Sequence, residues 1–516
     1  METGGEGVAK VVSVSEAVRQ IHSGDTVAIS GSGGCVCEPT GILKALGVRY
    51  LEEQQPRDLT ILHAGGLGDK DTGGTDAIAY EGLVKRDIGG HWAMAPRMAE
   101  LALEEKVEAY NLPQGVISHL FGAIAAHRPG VITKTGLETF IDPRQEGGKM
   151  NRSAKEDLVE LIELKGEEWL FYPSMPVQVG LIRGTTADSF GNITGEEEAA
   201  KMDALHIAQA AHSSGGIVIA QVKYLTEAHT LHPKDVMVPG IYVDYIVVDP
   251  EQKQTCETWY EPALAGNVRR PLETLEKLPL DSRKVIARRA AKELEGLDNA
   301  VINLGVGMPS GIAAVAAEEG WMDRLTFTVE QGIVGGMPVG GVIFGCAYNP
   351  DAVMWQADQF NFYDGGGLDC CFLGAAQVDQ EGNVNSSKTG RLLSGCGGAI
   401  NISQNSPKVV FCMLFTAKGF QARTDQGRLE ILQEGTTKKL VPKVDQITFS
   451  GSYARKHRQT VRYITERAVF ELREQGLTLI EIAPGIDLQK DVLDQMEFAP
   501  IIAPDLKQME EALFRP

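Results

Sequence analysis

The chain has 516 residues, enough for two to four domains, and with 43% apolar and 23% charged residues it has ordinary globular composition, which excludes a disordered chain. Its net charge is −20, from 69 acidic against 49 basic residues, the wrong sign of field for a nucleic-acid binder or for docking on an anionic membrane. Any anionic ligand must therefore be held by local devices: glycine loops, helix N-termini and a few placed cations.

In chain order, Ser13 or Ser15 caps a first helix that runs to residue 21. Residues 25–30 read as a strand, the glycine loop 31–34 follows, and Pro39 and Thr40 open a helix over 41–46. The segment 188–194 (DSFGNIT) reads as strand, Gly-Asn turn, strand. The runs 217–224, 241–248 and 408–414 are almost continuously apolar, as buried parallel strands are. Residues 250–280 are polar and punctuated by Pro262, Pro271 and Pro279, a linker signature. Beyond it, Asp281 and Ser282 cap a helix over 283–294, with Ile286, Ala287, Ala290, Ala291 and Leu294 at helical spacing. A strand at 299–304 then runs into Gly305-Val306-Gly307-Met308-Pro309 and a helix at 310–319. Residues 379–385 (DQEGNVN) repeat the strand, turn, strand pattern of 188–194.

Two echoes in the same order point to an internal duplication, against the alternative of chance likeness between short turn pieces. The first copy has 160 positions from Gly31 to Gly191, the second 77 from Gly305 to Gly382. The first half thus carries an insertion of roughly eighty residues, about 66–184. The expected architecture is α/β: two homologous domains with open, mostly parallel sheets, 1–250 and 281–516, joined by a linker at 251–280.

The strongest local pattern is LTFTVEQGIVGG, 325–336. Alternation makes 325–329 a strand, so Glu330 sits at its C-terminal end before a glycine-rich turn, where open α/β sheets bind ligands. The competing reading is a carboxylate that only caps its own turn. The glycine clusters at 365–367 and 395–398 are either anion nests or plain tight turns. Lys134, Arg144 and Lys149 supply cations in the insertion, with surface salt bridges as the alternative. Gly31-Ser32-Gly33 and Gly305-Val306-Gly307 are not dinucleotide fingerprints, because the third glycine is replaced by Val36 and Ser310. His-x-x-x-His, Gly-x-Ser-x-Gly and Walker A patterns are absent, which counts against zinc hydrolases, serine esterases and P-loop enzymes. His63, His91, His119 and His127 lack metal spacing. Among eight cysteines only Cys35/Cys37 and Cys370/Cys371 are close, neither as CxxC, so reduced thiols and no metal are expected. The N-terminus lacks a secretory pattern and no apolar run reaches the ~20 residues of a membrane span, so a cytoplasmic protein is expected.

Taken in order, these segments resemble the family I CoA-transferases in their fused, two-half form, as in propionate and acetate CoA-transferases. The resemblance runs through EAYNLPQGVIS (108–118), PGVITK (129–134), TFIDPR (139–144), Glu330-Gln331-Gly332, FYDGGGLD (362–369), GNVN (382–385), Gly397-Gly398 and FTA (415–417). It implies an acyl-CoA:carboxylate CoA-transferase acting on short-chain acids of the acetate, propionate or butyrate type, by a ping-pong route through a glutamyl-CoA thioester. It implies that Glu330 is the nucleophile, that Gly398 with Gly397 forms an oxyanion hole, and that Gly305, Val306, Gly307, Met308 and Pro309, together with Gly397 and Gly398, contact CoA. It implies no cofactor, since the CoA thioester is itself a substrate, and a homo-oligomer, dimer or tetramer. Gly122 and Lys418 depart from the family pattern, which expects a basic residue and a glycine there. The alternative readings are a thioester hydrolase or a non-catalytic acyl-CoA binder on the same scaffold, with an NAD-dependent oxidoreductase far behind.

Overall fold

The computed structural model describes residues 9–271 and 277–516. The expectation read from the first eight residues, and that part of the linker reading that covers 272–276, lie outside them.

The first half is built on an eight-stranded sheet in which every pairing is parallel. Its strands are β1 (Lys10–Val11), β2 (Thr26–Ile29), β3 (Leu59–His63), β4 (Val84–Gly89), β5 (Glu108–Asn111), β6 (Val179–Arg183), β7 (Ile217–Val222) and β8 (Tyr245–Val248), in the order β1-β8-β7-β6-β2-β3-β4-β5. The second half holds a ten-stranded sheet of β9 (Ala300–Leu304), β10 (Leu325–Val329), β11 (Ile333–Val334), β12 (Ala352–Val353), β13 (Cys370–Gly374), β14 (Lys408–Cys412), β15 (Thr460–Ile464), β16 (Ala468–Arg473), β17 (Gly476–Ile482) and β18 (Ile501–Gln508), in the order β12-β11-β10-β9-β13-β14-β15-β16-β17-β18.

The duplication is visible in these orders. The parallel run β8-β7-β6-β2-β3 recurs as β15-β14-β13-β9-β10. Residues 64–178 separate β3 from β6, whereas 330–369 separate β10 from β13, so the extra chain of the first half enters after β3. It supplies β4, β5 and a separate three-stranded antiparallel sheet over 130–173. The strand–turn–strand readings are also seen: Thr186–Asp188 pairs antiparallel with Ile193–Thr194, and Gln377–Asp379 with Val384–Asn385. The antiparallel extension β16–β17 is not anticipated by the duplication.

Local chemistry explains the elements. Ser13 caps α1 (Val14–Val18), accepting from the Glu16 N–H at 3.3 Å while the Glu16 carboxylate accepts the Ser13 N–H at 2.9 Å, a reciprocal capping box. Asp281 caps α6 (Ser282–Ala291) through the N–H groups of Arg283 and Lys284. All five residues of β6 are buried, as expected for a parallel strand covered on both faces. The second helix, read as 41–46, instead runs over α2 (Thr40–Glu53). Gly47 does not end it; a Cβ there would come within 2.1 Å of the Ala77 carbonyl oxygen, so the glycine admits a close packing contact. Gln54, left-handed at φ 55°, stops it.

The remaining helices that frame the site are α3 (Pro96–Leu103), α4 (Gln114–Ala125), α5 (Ala204–Ser213), α7 (Gly311–Glu319), α8 (Gln356–Asp364) and α9 (Ala399–Asn405). One apolar core surrounds the first sheet, and two cover the faces of the second. A fourth joins the halves: Val36 and Cys37 from the first, Leu264 from the segment between, and Val329, Ile333 and Phe344 from the second. Above it lies a buried ion pair. The Arg183 guanidinium meets the Glu198 carboxylate twice at 2.8 Å and also donates to the carbonyls of Cys35, Glu38 and Gln254 at 3.0–3.1 Å. Both partners are 2% exposed.

Candidate active site

β10 delivers Glu330 to the seam between the halves. The chain reverses at once into β11, with Gly332 at φ 97° in the turn. Beneath it the Asn303 amide donates to the Thr328 carbonyl and to the Tyr363 hydroxyl, both at 3.2 Å. Tyr363 donates on to the Thr328 hydroxyl at 2.9 Å, which donates to the Ile302 carbonyl at 2.9 Å. This buried chain of bonds ties the ends of β9, β10 and α8 together.

Glu330 itself is 8% exposed, and its Oε2 has no hydrogen-bond partner among the described residues. Burial pushes its carboxyl up to about 7, opposed by its own backbone N–H and the Asn303 amide. A desolvated carboxyl with one unsatisfied oxygen is costly to fold around, and such groups cluster at functional sites.

The carboxylate faces a cavity of about 150 Å³ that both halves enclose. The second half contributes Glu330, Gln331, Val306, Gly397 and the 341–344 loop; the first contributes Ser32, Gly66, Lys70, His91, Met94 and Gln114. Gln331 reaches across to donate to the Ser32 hydroxyl at 3.1 Å. The inserted chain forms one wall and is clamped to the second half by backbone bonds: Gly397 N–H to Gly90 carbonyl (2.7 Å), Gln114 N–H to Gly397 carbonyl (3.0 Å) and Trp92 N–H to Ser394 carbonyl (2.7 Å).

A fully buried ion pair stiffens that wall. The His63 ring sits between the Gly65 carbonyl (2.6 Å) and the Asp87 carboxylate (3.0 Å), and Asp87 also takes the Trp92 indole N–H at 2.9 Å. Burial opposes a charge on His63, but the Asp87 carboxylate, with the Gly65 carbonyl and Glu38, outweighs it and holds the ring above its ordinary value. An acceptor at each nitrogen favours the protonated ring. His91, by contrast, is pushed down to about 4 by burial, then by the nearby charges of His63 and Lys70, so it lines the cavity as a neutral ring.

The residues singled out from the sequence fall as follows. Glu330 and Gly397 line the cavity, and Val306 does so at the tip of its loop. Gly305 is tied to the Phe372 carbonyl, Gly307 turns at φ 85° and Pro309 is buried, so of 305–309 only Val306 faces the cavity. Gly397 spends its N–H on Gly90, whereas Gly398, at the head of α9, has an N–H without an acceptor among the described residues. Of the FYDGGGLD segment only 362–364 belong to α8, the glycines 365–367 follow its end, and the segment's contribution to the site is Tyr363. Lys134, Arg144 and Lys149 pair with Glu167, Asp142 with Glu168, and Asp157, and are taken up in surface salt bridges. Lys418 adopts φ 59°, so a glycine-type backbone is retained without the glycine; a Cβ at Gly122 would meet open space.

Sequence reasoning missed Ser32, Lys70, His91, Gln114 and Asn303 as site residues. The signals were present but weak: Gln114 lies in the Leu-Pro-Gln-Gly run and His91 follows the pair Gly89-Gly90. Among the described residues no cluster of His, Cys, Asp or Glu has the makings of a metal site, and no helix is long and apolar enough to cross a membrane.

The family model for coenzyme A transferase matches residues 11–249 and 283–492. The chain is 46% identical to an acetate CoA-transferase, YdiF, of Escherichia coli strain K12, over 98% of this chain and 96% of that protein. It is 48% identical to a caffeate CoA-transferase of Acetobacterium woodii, over 98% of each. A crystal structure of the E. coli O157:H7 acyl-CoA transferase YdiF, as a thioester complex with CoA, superposes with a TM-score of 0.93 at 45% identity, covering 98% of this chain and 96% of that one. With this fold, this two-part match and full-length relatives of that activity, the chain belongs to the coenzyme A transferase family.

Proposed function

We propose that the protein moves CoA between short-chain acids by a ping-pong reaction in which Glu330 is the nucleophile. The observation that carries this reading is the buried Glu330 carboxyl, one oxygen unsatisfied, facing a cavity lined by both halves. The ionised carboxylate attacks the acyl-CoA carbonyl, and collapse of the tetrahedral adduct expels the CoA thiolate and leaves an acyl-glutamyl anhydride. The thiolate attacks the glutamyl carbonyl, releasing the first acid as its carboxylate and leaving a glutamyl-CoA thioester. A second carboxylate attacks that carbonyl and expels the thiolate again. The thiolate then takes the new acyl group and frees Glu330. No net proton, metal or ATP is consumed, and the CoA thioester is substrate rather than cofactor.

Each adduct carries an oxyanion, and the free N–H of Gly398 is our candidate donor for it, worth ~3–4 kcal/mol by analogy with known oxyanion holes. The partly exposed tip of the loop 305–309 is our candidate CoA contact. The wall built by the inserted chain would keep water from both anhydride and thioester. Cavity volume and the apolar Met94, Val342 and Phe344 suit a short uncharged acyl chain. We place the reaction in the cytoplasm and in a homo-oligomer, the latter open to light-scattering measurement.

The test is chemical. After incubation with acetyl-CoA and borohydride, the peptide containing Glu330 should carry the mass of a reductively trapped glutamyl adduct. Initial rates with propionyl-CoA and acetate should give parallel double-reciprocal lines. Converging lines, or turnover without the adduct, would point to a ternary complex or to direct hydrolysis instead.

A pH prediction follows from the burial of Glu330. Because the nucleophile is the ionised form and its carboxyl lies at about 7, kcat/KM for acyl-CoA should rise as pH increases through that value and level off above it. A profile flat from about pH 5.5 to 8 would contradict an unusually weak acid at this position.

A further inference from the structure

We infer that Lys70, with the His91 ring beside it, forms the subsite that holds the free carboxylate of the acid substrate, both the acceptor on entry and the first acid on departure. The inference rests on the transfer reading above and adds the group that recognises its anionic partner.

Electrostatics creates the need. The acid enters as an anion, the protein carries −20, and a carboxylate drawn from water into the cavity needs a partner there. Glu330 is by then a neutral thioester, so the counter-charge must come from the cavity wall. Among the described residues around the cavity Lys70 is the only cationic side chain, since His91 is neutral. The Lys70 ammonium makes no ion pair or hydrogen bond with any described residue, although acidic side chains outnumber basic ones across the chain. It is not spent on Glu330 either.

Its mounting is rigid. Lys70 sits at φ 69°, and its N–H is tied to the Met94 carbonyl at 2.8 Å. On one side the Asp69 carboxylate gathers the N–H groups of residues 71, 72 and 73 at 2.9–3.0 Å. On the other the fully buried Glu38 accepts from Gly68 at 2.9 Å and Gly74 at 2.8 Å. The loop's ordering entropy is thus met in folding rather than on binding. The residue is exposed while its backbone is fixed, so the side chain stays open to solvent.

His91 completes the pair. Its ring lies against the bare Cα of Gly66, where a Cβ would come within 2.6 Å of Nδ1, and its ring nitrogens have no partner among the described residues. A neutral imidazole with a free N–H beside an ammonium offers two donors to the two oxygens of a carboxylate. The phosphates of CoA are the other anionic candidates, but they lie at the far end of the pantetheine arm, whereas Lys70 lines the same small cavity as the carboxyl that the thioester carbon must reach.

The test compares the two substrates. With Lys70→Ala, KM for the acceptor acid should rise about tenfold or more while KM for acyl-CoA moves less than about twofold, and Lys70→Arg should recover most of the loss. Raising the salt concentration should shrink the difference between wild type and Lys70→Ala. An acceptor KM that Lys70→Ala leaves within about twofold of wild type overturns the subsite. So does a loss that falls on acyl-CoA and vanishes with an acyl-pantetheine thioester, which lacks the phosphates. Adduct formation at Glu330 in the wild type separates the two levels: no adduct defeats the transfer reading and the subsite with it, whereas an adduct with an indifferent acceptor KM defeats the subsite alone.

Discussion

Glu330→Gln is expected to lower CoA transfer by about 10⁴-fold or more, the scale on which losing a covalent nucleophile acts. The same substitution should leave the fold intact and raise its stability by ~1 kcal/mol. The reason is the cost of the native residue: Glu330 is buried, its Oε2 is unsatisfied and its carboxyl is a far weaker acid than usual. A neutral amide of the same shape removes the desolvation of a charge, and active sites commonly hold such strain in exchange for function. Turnover assays and thermal melts of the same preparation read both. Native-rate turnover by the amide would end the covalent account, and a large drop in melting temperature would mean that the carboxylate is structural.

Arg183→Met is expected to destabilise the protein by about 3–5 kcal/mol, the usual cost of stranding one member of a buried ion pair. Glu198 would remain 2% exposed without its bidentate partner, and the carbonyls of Cys35, Glu38 and Gln254 would lose their donor. Activity should fall along with stability, because Arg183 holds the loop that carries Ser32 against Gln331. Adding Glu198→Leu should restore much of the lost stability, since an apolar pair of similar volume avoids both desolvation costs. Denaturant titration of the three proteins decides it; a loss under about 1 kcal/mol in the single variant would show that water reaches Glu198.

Several features of the fold are local and so can be read from neighbours in the chain. Ser13 and Asp281 announce caps because a short polar side chain can reach N–H groups two or three residues ahead. β10 announces itself by alternation, and Glu330 by its place just after that strand. The duplication needs only that two copies keep the same order of such pieces, and the matching strand orders bear it out. Helix length was less legible at Gly47, where a tertiary contact with the Ala77 carbonyl, not local propensity, explains the glycine.

What the sequence by itself determined, then, is the class of each element, their repetition and the placing of one carboxylate at a strand end. The tertiary structure decided the rest, because parallel strands pair only through long crossovers and bring distant segments together. Lys70, His91 and Gln114 meet Glu330 from more than two hundred positions away, so no spacing pattern could join them. The glycine at position 34 shows the same thing in the backbone: a Cβ there would come within 2.8 Å of the Ile343 Cα, a contact between halves. Charge state is decided last of all. Glu330 is a weak acid, His63 is raised and His91 is a neutral ring only because of what packing removes from water and what it sets beside each group.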